Sequence, residues 1–104
     1  MFNKECKIII KNFIKNEYAH NPEEGERIAK YIQEKYKGDC YLVLNFKGIS
    51  SVNTAFVNKI VNGLYEKYST DILNKYFKLE NFNELISETF MKVIENYKEV
   101  KNDL

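Results

Sequence analysis

Few side chains in this sequence are equipped for chemistry, and they do not gather into a catalytic set. The one histidine, His20, stands near Glu23, Glu24 and Glu26. A lone imidazole among flexible acids is a poor metal site, because such ions are held by several His, Cys or carboxylate groups at fixed spacing. His20 is therefore expected to be a solvated loop residue. Cys6 and Cys40 match neither a CxxC redox motif nor a zinc spacing. Both fall beside strand-like segments, where a free thiol packs as a small hydrophobe. There is no GxSxG nucleophile elbow, no phosphate-cradling Gly-rich loop and no second His to serve as general base. These residues predict no enzymatic activity, no cofactor and no metal.

The remaining candidate is the polar segment from Gly48 to Phe56, which carries the hydroxyls of Ser50, Ser51 and Thr54 beside Asn53. It follows an apolar strand and opens a helix. In open α/β sheets, sites lie at the carboxyl ends of strands. Free N–H groups and the helix dipole at such a point favour negative charge. A hydroxyl placed here, Thr54 above all, is a candidate phospho-acceptor whose new charge would be stabilised locally. The plainer use of the same residues is capping, with Asn53 or Thr54 accepting from the first orphan amides. On physical grounds alone, capping outweighs phosphorylation.

Alternating elements must position that loop. Cys6–Ile14 contains the β-branched run Ile8-Ile9-Ile10 and then Phe13-Ile14, which predicts one strand. Residues 16–21 carry no apolar period and read as loop. Asn21-Pro22-Glu23-Glu24 is a helix start: an Asn cap, Pro at the first helical position, and acids at the positive end of the dipole. Ile28, Ile32 and Tyr36 form its apolar stripe, and Gly38-Asp39 is expected to end it. Gly25, in its first turn, reads as a close-packing position.

Tyr41–Phe46 is almost continuously apolar, the pattern of a strand covered on both faces by helices. From Thr54 a second helix presents Phe56, Ile60 and Leu64 in one row and Val57, Val61 and Tyr65 in the next. Ser69-Thr70-Asp71 breaks it. Tyr76–Leu79 reads as a third strand, with Ile72-Leu73 prolonging the element before it. Phe82, Leu85, Ile86, Thr89, Phe90, Val93, Ile94 and Tyr97 mark a final amphipathic helix, and Lys98–Leu104 is expected to fray. Tyr18, Tyr31 and Tyr41 fit the stripes least well and are expected to be exposed contact residues. The order β-α-β-α-β-α predicts an α/β domain with a mainly parallel sheet flanked by helices. One domain is expected over residues 1–104, with its core at about 6–97.

Bulk properties narrow the partner. The 16 basic and 15 acidic residues give a net charge of +1 and are interleaved along the chain. Nucleic acid is disfavoured, because capture of phosphates needs a concentrated basic face. No stretch approaches the roughly 20 apolar residues of a membrane span, and the first residues lack the apolar region of a signal peptide. The expectation is a cytoplasmic protein without a membrane partner. Homodimerisation through an exposed sheet edge or an aromatic patch stays open.

Leu42-Val43-Leu44-Asn45-Phe46-Lys47-Gly48-Ile49 followed by Val52-Asn53-Thr54-Ala55-Phe56 resembles the STAS-like domain family of bacteria. In that family a strand ending in Asp-Phe-x-Gly-Val leads through a short Ser-containing loop to Phe and a helix. Gly25–Ala29 is similar to the preceding helix, and Phe77–Asn81 with the last helix is similar in placement. Asn45 stands where the family usually has Asp. More distantly, the loop is similar to the STAS domains of anti-sigma factor antagonists, whose Asp-Ser-Ser/Thr-Gly loop is phosphorylated at the first hydroxyl. On that pattern Asn53 falls at the Asp, Thr54 at the phosphorylated residue, Ala55 at the second hydroxyl and Phe56 at the Gly.

The resemblance implies a regulatory partner-switching module whose partner is a histidine-kinase-like ATPase or a sigma-type regulator. Its expected docking surface is Ser50, Ser51, Asn53 and Thr54 in the loop with Asn58, Lys59 and Asn62 on the exposed side of the following helix. A second reading is a small stand-alone inhibitor or accessory protein, of the kind mobile elements encode, that docks on a host enzyme. A third, a small-molecule or nucleotide-binding module, rests on the helix N-terminus at Thr54 alone.

Overall fold

A computed structural model describes residues 4–102 of the chain. The elements run β1 (Glu5–Ile9), α1 (Ile10–Ile14), β2 (Tyr18–Ala19), α2 (Pro22–Lys35), β3 (Tyr41–Asn45), β4 (Ser51–Val52), α3 (Thr54–Lys67), α4 (Thr70–Tyr76), β5 (Phe77–Glu80) and α5 (Glu84–Asn102). β1, β3 and β5 form a parallel sheet in the order β1-β3-β5, flanked by helices, and β2 pairs in parallel with β4. The expected mixed α/β layer fold is therefore present.

Local sequence explains most of the boundaries. Asn21 caps α2, its Oδ1 accepting from Glu23 N–H at 2.8 Å, and Pro22 takes the first helical position. The helix stops at Lys35, earlier than Gly38-Asp39, because Tyr36 leaves it in an extended conformation. The Tyr36 ring is needed in the core, where it is 2% exposed and stacks edge-on against Tyr68. Ser69, expected only to break the preceding helix, also caps α4 by accepting from Ile72 N–H at 3.1 Å. Ile72 and Leu73 thus belong to a separate helix that runs directly into β5. α5 continues past Tyr97 to Asn102; Asp103 and Leu104 lie outside the described residues.

The predicted first strand is corrected. It ends at Ile9, and Ile10–Ile14 is a helical turn. Ile10, Phe13 and Ile14 also have i, i+3, i+4 spacing, which puts them on one helical face. Ile10 and Ile14 are buried, and Lys15 closes the turn in the left-handed region at φ 55°. Burial of that face overrides the β preference of the isoleucine run. The segment read as loop before α2 contains β2, whose Tyr18 and Ala19 lie in register with Ser51 and Val52 of β4.

Register divides the main sheet into two faces. Cys6, Ile8, Leu42, Leu44, Phe77 and Leu79 share one face and join the apolar core. Lys7, Ile9, Val43, Asn45, Lys78 and Glu80 share the other. The apolar run of β3 predicted helices over both faces, but Ile9, Lys7 and Lys78 are exposed on the second. Val43 is buried there without joining the apolar cluster, in register between Lys7 and Lys78. Long lysine stems can cover a small apolar side chain while keeping their charges in water.

Beneath the first face, Ile28, Ile32, Phe56, Ile60, Leu64 and Ile86 are all fully buried. Each such side chain contributes roughly 1.5–3 kcal/mol of transfer free energy. Helices α2 and α3 approach closely because glycine faces backbone or alanine at two points. A Cβ on Gly25 would lie 2.5 Å from the Phe56 carbonyl oxygen, and one on Gly63 would lie 2.6 Å from Ala29 Cβ. The close-packing role expected of Gly25 is the one it has.

Candidate functional site

The segment from Lys47 to Thr54 is held in place at nearly every residue. Asn45 Oδ1 accepts from Lys47 N–H at 2.8 Å, and Ile49 N–H donates to the Phe46 carbonyl at 3.0 Å. Gly48 turns the chain with φ 83°, a conformation that strains any residue with a Cβ. Ser50 is fixed three ways. Its N–H donates to the Glu17 carbonyl at 2.7 Å, its hydroxyl donates to Glu17 Oε1 at 2.7 Å, and its carbonyl accepts from Asn83 Nδ2 at 3.0 Å. Ser51 Oγ lies 2.8 Å from His20 Nε2.

Asn53 decides how α3 begins. Its Oδ1 accepts from Phe56 N–H at 2.9 Å while its Nδ2 donates to the His20 carbonyl at 3.0 Å. One side chain thus caps the helix and ties it to the segment that precedes α2. Thr54 is left exposed at the first helical position, and its hydroxyl makes no hydrogen bond to any described residue. Of the two candidate caps, Asn53 serves and Thr54 does not.

Asn58, Lys59 and Asn62 are exposed on α3 and border two grooves. Asn58 and Asn62 line an open groove of about 350 Å³ with Asn96 and Val100 of α5. Lys59 faces α2 and lines a second groove with Glu26, Lys30 and Gln33; Asn62 borders both. Thr54 lines a third opening, of about 360 Å³, with Leu85, Thr89 and Lys92 of α5. Thr54, Asn58 and Asn62 thus border the α3–α5 side, and Lys59 borders the α2–α3 side together with Asn62. Of the three tyrosines expected to be contact residues, Tyr18 and Tyr31 are exposed, whereas Tyr41 is half-buried against Tyr76 with Lys78 Nζ 4.5 Å from its ring centroid.

Three residues that shape the loop carried no sequence signal for it: Glu17, Asn83 and Glu80. Asn83 alone had a legible role, as the cap of α5, where its Oδ1 accepts from Ile86 N–H at 2.9 Å. Asn45 is a buried polar side chain, 8% exposed, and its Nδ2 donates to Glu80 Oε1 at 2.9 Å.

His20 is exposed, as expected of a loop residue, though it is engaged with Ser51. Their separation is that of a hydrogen-bonded pair, and among the described residues no carboxylate is bonded to the other imidazole nitrogen. Among the described residues no group of three or more His, Cys, Asp or Glu side chains could hold a metal ion. Cys6 and Cys40 are free and half-buried against the core. Burial raises both thiol pKa values, with added repulsion from Cys40 on Cys6 and from Asp39 on Cys40. A raised pKa lowers the thiolate fraction and with it the reactivity. Burial, reinforced by Cys40 and Tyr68, also pushes Tyr36 up to about 12.

Among the described residues no helix is long and apolar enough to cross a membrane. No curated protein and no solved structure matches the chain. Residues 24–87, from the first turn of α2 through β3, α3 and β5 to the start of α5, match the family described as a STAS-like domain of unknown function (DUF4325). With that match covering more than half of the sequence, and with a parallel sheet flanked by helices beneath it, the chain belongs to this STAS-like family.

Proposed function

We propose that this STAS-like domain is a non-catalytic regulatory module that binds another protein through the 48–56 loop and the exposed side of α3. The observation that carries this reading is the division of labour at Asn53 and Thr54. Asn53 satisfies the helix and ties the loop down, so Thr54 presents a free hydroxyl from a rigid frame. A surface held in its binding geometry loses little entropy on association. Beside it, Asn58 and Asn62 offer neutral amide donors and acceptors on successive turns. Phosphorylation of Thr54 would add about two negative charges at the start of α3 and change the hold on the partner. A histidine-kinase-like ATPase or a sigma-type regulator is the partner type we propose.

The test is affinity capture from the source cells with three baits: the native protein, Thr54→Glu and Asn58→Trp. We expect a protein held by the native bait, lost with Asn58→Trp and held to a different extent by Thr54→Glu. A protein held equally by all three would refute this surface, and an unrelated enzyme in that position would favour the inhibitor reading. Intact-mass measurement of protein from its own cells tests the switch separately. Absence of a species one phosphoryl group heavier, in every growth state sampled, would reject it.

A further inference from the structure

The charges around α3 differ between its two sides, and the difference identifies a partner chemistry. Thr54, Asn58 and Asn62 recur at four-residue spacing on α3, and Leu85, Thr89, Asn96 and Val100 follow one flank of α5. The two openings they line therefore stand end to end along one α3–α5 groove. Between the charges its lining is neutral and mixes these polar side chains with Met91 and Tyr97. Its ends carry Leu85 and Val100, exposed to 48% and 63%. Its rim carries Glu88 and Glu95 with Lys92 between them in sequence, and Glu66, which also borders the α2–α3 side; among the described residues none of these three carboxylates takes part in an ion pair. On the α2–α3 side, by contrast, Glu26 and Glu66 are matched by Lys30 and Lys59, and Lys30 pairs with Glu26 at 3.8 Å.

Carboxylates in excess of cations, beside exposed aliphatic side chains, complement a segment that is itself cationic and apolar. We propose that the α3–α5 groove binds a basic segment of the partner protein, Lys or Arg meeting Glu88 and Glu95, with an apolar side chain seated on Leu85 or Val100. This rests on the interaction reading above and adds the partner's chemistry and the sign of regulation. Thr54 lies in the same groove, so negative charge there adds to the acidic rim and strengthens the hold on a basic segment.

A random peptide library displayed on phage, panned against the full chain, tests this. Enriched peptides are expected to combine Lys or Arg with a large apolar residue and to bind less as salt rises. Reversing the rim with Glu88→Lys and Glu95→Lys together should weaken them by about tenfold, a difference of about 1.4 kcal/mol. Glu26→Lys, on the other side of α3, should leave them unchanged, and Thr54→Glu should tighten them. No enrichment, enriched peptides without basic residues, or equal losses from Glu26→Lys would overturn the proposal. The two readings fail differently. A natural partner lost with Asn58→Trp but indifferent to the rim reversal keeps the interaction surface and rejects the basic segment. A partner indifferent to both rejects the surface itself.

Discussion

Replacing Asn45 by Asp would place the acid that the STAS-like resemblance expects at the end of β3, and in this chain it should be destabilising. The Asn45 amide satisfies three groups at once. Its Nδ2 donates to Glu80 Oε1 at 2.9 Å, and its Oδ1 accepts from Lys47 N–H at 2.8 Å and from Asn81 Nδ2 at 3.3 Å. Asn45→Asp keeps the two acceptor contacts and turns the donor into a second carboxylate oxygen facing Glu80. Unit charges at that 2.9 Å separation repel by about 6 kcal/mol at an effective dielectric of about 20. Glu80 is partly exposed and Lys7 Nζ lies 3.1 Å from it, so screening removes much of this. The lost charge-assisted hydrogen bond costs about 1.5–3 kcal/mol, and with the residual repulsion we expect a deficit of about 3 kcal/mol near neutral pH.

The new pair would bind a proton more tightly when folded, raising a carboxyl pKa above its unfolded value of about 4. Relative to the native protein, the deficit should be nearly absent below about pH 4 and grow as pH rises through the raised value. Urea denaturation followed by circular dichroism at about pH 7 and about pH 4.5 measures it directly. Asn45→Asp combined with Glu80→Gln should recover most of the loss, because the Gln amide can donate to the new carboxylate. A deficit under about 1 kcal/mol, or one that does not change with pH, would refute the pairing argument.

Other outcomes follow from the same geometry. Gly25→Ala sets a Cβ against the Phe56 carbonyl oxygen at 2.5 Å, so α2 and α3 must separate; a loss of about 1–3 kcal/mol in urea denaturation is expected. Asn53→Ala should cost about 1–2 kcal/mol through the lost cap, whereas Thr54→Ala should stay within about 0.5 kcal/mol; equal losses would show that Thr54 shares the capping. Tyr36 has its pKa pushed up to about 12 by burial, with Cys40 and Tyr68 adding to it. The unfolded chain therefore loses its phenolic proton first, and stability should be intact below about pH 10 and fall by up to about 2–3 kcal/mol towards pH 12. Denaturation curves across that range, compared with Tyr36→Phe, isolate the contribution.

Elements whose causes are local can be read directly from the order of residues. Asn21-Pro22 opens α2 because the cap and the fixed proline φ act within one turn. The stripes of α3 and α5 fixed which faces are buried, since helical periodicity depends only on spacing. The alternation of strands and helices was enough to predict a parallel sheet flanked by helices. Whether Ile10–Ile14 extends or coils was settled only by packing, because its residues fit both periods. The two-residue pairing of β2 with β4 carries no pattern to read and exists through contacts between segments about thirty residues apart. The same long-range contacts built the candidate site. Glu17 and His20, on either side of β2, and Asn83, just before α5, reach the loop from two separate segments, and the Asn53 amide both caps α3 and reaches the His20 carbonyl. Chain order listed the hydroxyls, and only the folded arrangement decided which one was left free.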